Sequence, residues 1–112
     1  MPFITVKIPT PQYKLDVEKL GQDISTLTPI EINRINVILT SMDSQTFFRG
    51  NETDYPVVHI EASIRNGKEF IQKLLQVSTQ LVEKQLNLPE NTVVGYAHPI
   101  EEGYLLKGGE FR

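Results

Sequence analysis

At 112 residues the chain is sized for one domain with a single core, and 39% apolar with 22% charged residues is a globular composition, neither disordered nor membrane-embedded. The net charge of −3, with lysines and arginines scattered singly among acids, argues against a nucleic-acid binder, and the lack of cysteine removes disulfides, thiol nucleophiles and thiolate metal sites. No apolar run approaches the roughly 20 residues of a membrane span, and the start of the chain lacks the pattern of a secretory signal, so the expected location is the cytoplasm.

Residues 3–8 alternate, with Ile4, Val6 and Ile8 on one side and Phe3, Thr5 and Lys7 on the other, which predicts a half-buried strand. Pro9 and Pro11 stop it, and Thr10 followed by Pro11 reads as a helix start. Tyr13, Val17, Leu20, Ile24 and Leu27 then fall on one helical face. Thr28, Pro29, Ile30 and Glu31 resemble a capping box for a single turn. The β-branched run 35–40 predicts a buried strand, and a turn-rich stretch with Phe47, Phe48 and Gly50 follows.

The second half repeats the scheme. Residues 56–62 predict a strand, and Asn66 with Glu69 suggests a capped helix over about 67–85 carrying the stripe Phe70, Leu74, Val77 and Leu81. A turn at 89–91 leads to a fourth strand over 92–97, ended by Pro99. Proline heads a strand in each half (Pro2, Pro56) and precedes the next one (Pro29, Pro89). Ile35 to Gly50 and Val93 to Gly108 are both 15 residues, and residues 48–51 look like 106–109. A single 1–112 domain built from pseudo-repeat halves of about 2–51 and 56–110 follows. The predicted class is α+β: two tandem β-α-β units forming a four-stranded mixed sheet with two helices on one face. A ferredoxin-like arrangement has the same order of elements and stays open, although it gives the prolines and the glycine spacing no matching roles.

Pro2 directly after Met1 at the head of an alternating strand, the run 35–42 followed by Phe47 and Gly50, and its echo from Val93 to Gly109 resemble the tautomerase superfamily. The second strand and loop are similar to 4-oxalocrotonate tautomerase, and the fused double unit to macrophage migration inhibitory factor and its relatives. The resemblance covers nearly the whole chain and implies a homotrimer enclosing a barrel-like core, with sites at subunit boundaries. It also implies that Pro2, once Met1 is removed, is a secondary amine acting as general base on a small enol or α-keto acid, with no cofactor. An α-amino group has a reference pKa of about 7.7–8.0, lowered by burial or a nearby cation, which suits proton transfer near neutral pH.

The substrate-binding positions implied by the resemblance are Ile64 and Phe47, whose residue types are kept, and Asn36, which with Gln12 stands where that family has arginine. The family's lysine falls near Ile30, its tyrosine near Val94, and its asparagine at Tyr96. Replacements for the missing anion binders are Tyr96, contributed by the neighbouring subunit as a hydrogen-bond donor to an enolate, and Arg65, as a carboxylate holder; Arg34 and Lys7 rank below them. His59 and His98 read as structural, so no metal is expected. Two functions stay open: a Pro2-dependent keto–enol tautomerase, and a noncatalytic trimeric binding module that keeps the fold without the pocket chemistry.

Overall fold

The computed structural model describes residues 1–9, 12–43, 45–50 and 53–112. Alternation places β1 (Phe3–Ile8) with Ile4, Val6 and Ile8 fully buried and Phe3, Thr5 and Lys7 on the opposite face. β2 (Asn36–Ser41), β3 (Val57–Ser63) and β4 (Val94–Ile100) complete a sheet of order β2-β1-β3-β4. β1 runs parallel to β2 with Phe3 beside Asn36, and antiparallel to β3 with Phe3 beside Glu61. β3 runs parallel to β4 with Val57 beside Val94.

Each parallel pair is bridged by a helix, α1 (Val17–Leu27) and α2 (Lys68–Gln85), and both helices pack on one face of the sheet and against each other. Ile4, Val6, Val58 and Ile60 from the sheet meet Leu20, Ile24, Leu74 and Val82 from the helices, all without exposed surface. Burying such a side chain contributes about 1.5–3 kcal/mol. The opposite face, with Thr5, Lys7, His59, Tyr96 and His98, carries no helix. Among the described residues no helix is long and apolar enough to cross a membrane.

Several local expectations are corrected. Thr10 and Pro11 lie outside the described residues; α1 begins at Val17, capped by the Asp16 carboxylate accepting from Lys19 N at 3.0 Å, so Tyr13 precedes the helix. Thr28 closes α1 instead of opening a turn: its hydroxyl donates to the Ile24 carbonyl at 2.7 Å, and the short 3₁₀ turn falls at Ile32–Arg34. Asn66 belongs to a second 3₁₀ turn, Ile64–Asn66, its amide donating to the Ser63 carbonyl, and Gly67 at φ 85° takes the N-cap position of α2. Pro99 does not end β4, because β4 is an edge strand where a missing N–H removes no ladder bond. β2 is an edge as well, so Ile38 and Leu39, expected inside, are exposed in the single chain.

The chain ends in a hairpin of β5 (Leu106–Lys107) and β6 (Glu110–Phe111) that the repeat did not foretell. Gly108 and Gly109 both adopt positive φ, 60° and 77°, the two-residue turn whose twist suits a hairpin. Gly50 supports no strand, so the likeness of residues 48–50 to the later glycine segment ends at the sequence, and Asn51 lies outside the described residues.

Candidate functional site

Pro2 stands immediately before β1, buried, at the end of the sheet where β1 and β2 begin and β3 and β4 finish. Its carbonyl accepts two hydrogen bonds from Asn36, from the backbone N at 3.1 Å and from Nδ2 at 3.2 Å. Asn36 therefore anchors the proline carbonyl, a structural role that differs from the substrate contact expected of it. A cavity of about 190 Å³ opens at Pro2, lined also by Met1, Pro29, Ile30, Arg34, Asn66 and Phe70. A larger cleft of about 530 Å³ lies by the C-terminal end of α2. Its buried acid, Glu83, is committed to the amides of Thr92 and Val93 at 2.9 Å, which marks a structural cap.

The electrostatics of the Pro2 cavity favour an uncharged amine. The terminal amine on Met1 is held below its ordinary range, first by burial, then by the charges of Arg34 and Lys107. With Met1 gone, the terminal nitrogen would be that of Pro2, which lines the same cavity as Arg34.

The other sequence candidates divide by position. Ile64 and Arg65 lie on the 3₁₀ turn that delivers Asn66 to the cavity, but Arg65 pairs with Glu102 at 2.9 Å and both side chains are about two-thirds exposed (66% and 64%). Tyr96 lies on the uncovered sheet face, where its hydroxyl accepts from Lys7 Nζ at 2.7 Å and its ring stacks on His59. It does not line the cavity of its own chain. Phe47 follows β2 at the end where Ser41 pairs with Ile8, opposite the Pro2 end. Arg34, ranked below Arg65 on sequence, is the arginine that reaches the cavity. Its signal was available: parallel pairing of the first two strands sets the residues before Asn36 beside those before Phe3. Phe70, Asn66 and Lys107 gave no comparable signal.

No family model and no curated protein matches the sequence. Solved structures do. A native "fused 4-OT" superimposes with a TM-score of 0.79 at 16% identity, over 97% of this chain and 94% of that one. N1, a member of the cis-3-chloroacrylic acid dehalogenase family, gives 0.70 at 20% identity, over 97% and 82%. The macrophage migration inhibitory factor from Trichinella spiralis gives 0.71 at 8% identity, over 98% and 99%. The four-stranded mixed sheet with two helices on one face is the architecture they share with this chain.

Proposed function

From a tautomerase-superfamily fold, we propose that this protein is a keto–enol tautomerase of small enol or α-keto acids, with the Pro2 nitrogen, freed by removal of Met1, as general base. The carrying observation is the cavity at Pro2, in which a buried proline meets Arg34 and the apolar side chains of Ile30 and Phe70. The neutral amine takes the proton of an enol hydroxyl, the electron pair shifts through the enolate, and the amine returns the proton at carbon. Arg34 offers the substrate carboxylate a two-pronged partner, and Lys107 adds positive potential where enolate charge develops. A homotrimer supports the same reading: Ile38, Leu106, Tyr104 and Phe111 are exposed on the single chain, and fused 4-OT structures of this fold are described as trimers.

Two observations favour the noncatalytic alternative. Asn36, a position expected to hold substrate, is committed to the Pro2 carbonyl, and the Tyr96 hydroxyl, the expected hydrogen-bond donor to an enolate, does not line the Pro2 cavity of its own chain. The deciding experiment is the intact mass of the untagged protein before and after brief treatment with 3-bromopyruvate, followed by ketonisation of an arylpyruvate enol. Because the chain has no cysteine, a single adduct mapping to Pro2, with activity lost in step, is the expected result. Retention of Met1, or an unmodified Pro2, would establish the noncatalytic reading instead.

A further inference from the structure

The uncovered face of the sheet brings together both histidines of the chain, which sequence reading had kept apart. In the β3–β4 ladder His59 pairs with Tyr96 and Glu61 with His98, so the two histidines are diagonal neighbours on one face. His59 Nε2 and His98 Nδ1 stand 3.2 Å apart, with the rings nearly perpendicular at 88°. The His59 ring lies flat against Tyr96, at 4.5 Å between centroids and 14° between planes. Tyr96 is itself held by Lys7. Packing therefore fixes one imidazole, and a neighbouring strand supplies the other.

Two imidazole nitrogens this close share a proton or chelate a metal. Nitrogen ligands at about 2.0–2.1 Å from a tetrahedral ion stand roughly 3.3 Å from each other, and the observed separation matches that bite without a shift of either strand. The geometry points to a divalent transition-metal site at the His59–His98 pair, outside the Pro2 cavity of its own chain. Among the described residues no three His, Cys, Asp or Glu side chains converge, so one chain supplies two ligands and the rest of the shell comes from outside it. Such a chelate selects by the intrinsic affinity order for nitrogen, with Cu²⁺ ahead of Zn²⁺. Around the pair, Glu61 on β3 attracts a cation and Lys7 on β1 repels one; β2 contributes only Asn36, Ile38 and Thr40 to this face.

The test is calorimetric titration of the full chain with Cu²⁺ at neutral pH, with circular dichroism as the fold control. The expected result is one ion per chain, affinity weakened at least ten-fold by His59→Gln or His98→Gln, and a double variant no weaker than either single one, since a lone imidazole cannot chelate. His98 is exposed, so its substitution leaves the core intact. Lys7→Met is expected to tighten binding by removing a repelling charge. Wild-type affinity in both single variants, or uptake that survives undiminished in the double variant and so belongs to the amino terminus, would overturn the proposal.

Discussion

Arg34 is the residue on which the proposed chemistry can be tested most sharply, because it has two effects on one reaction. It lines the cavity at Pro2, and its charge is among the causes that depress the terminal amine on Met1. Arg34→Gln removes a charged hydrogen bond worth about 1.5–3 kcal/mol, which lowers kcat/KM roughly ten- to hundred-fold. It also lifts a constraint on the amine, whose pKa rises, so the acidic limb of the kcat/KM profile moves to higher pH. A merely structural arginine would lower activity without moving that limb. Pro2→Ala puts a primary amine in place of the secondary one and is expected to lose most activity while binding product analogues normally, as measured by calorimetry. His59 gives a separate pH signature, since its imidazole is held below the ordinary value of 6.5, chiefly by burial, with Lys7 and His98 adding to the effect and Glu61 opposing it. The unfolded chain therefore takes up that proton first as pH falls. Stability from this group is constant above about 6.5 and declines as pH drops below it, until the folded ring titrates too. Denaturation midpoints at pH 7.5 and 5.5 measure the slope, and His59→Gln is expected to flatten it.

Among the elements, β4 shows how closely helix and sheet are fitted. A Cβ on Gly95 would lie 2.7 Å from both Leu75 Cδ1 and Thr79 Cγ2 of α2, so Gly95 lets the helix approach the strand. Gly95→Ala is expected to cost about 1–3 kcal/mol by overpacking, read as a lower denaturation midpoint with an unchanged slope. The sequence made β1 and β3 legible because each alternates between a buried and an open side, and it made α2 legible because Leu74, Val77 and Leu81 repeat at helical spacing. Caps were harder to read. Asn66 and Thr28 are residue types that suit an N-cap, yet each satisfies a neighbouring carbonyl instead. The candidate site was half legible for a related reason: Pro2 is marked by its position in the chain and Arg34 by the strand pairing the sequence predicts, whereas the placing of Phe70 and Lys107 follows from helix packing and the final hairpin, which leave no local pattern.

At the scale of the whole molecule, one sheet face is sealed by two helices and the other stands open, with exposed side chains along β2 and the terminal hairpin. Sedimentation equilibrium is expected to give three times the 12.7 kDa chain mass. Ile38→Lys, on the open face, is expected to shift that mass toward a single chain while the circular dichroism spectrum is kept. The way Pro2 is tethered has a consequence for the life history of the protein. Because Asn36 grips the proline by its carbonyl, those two hydrogen bonds do not depend on the residue ahead of it. On the proposed chemistry, cleavage just ahead of Pro2 would uncover a base already in place, so that processing alone would switch activity on. A tag fused to the amino end would then hide the proposed base, and a survey of tagged preparations would score the protein as inert.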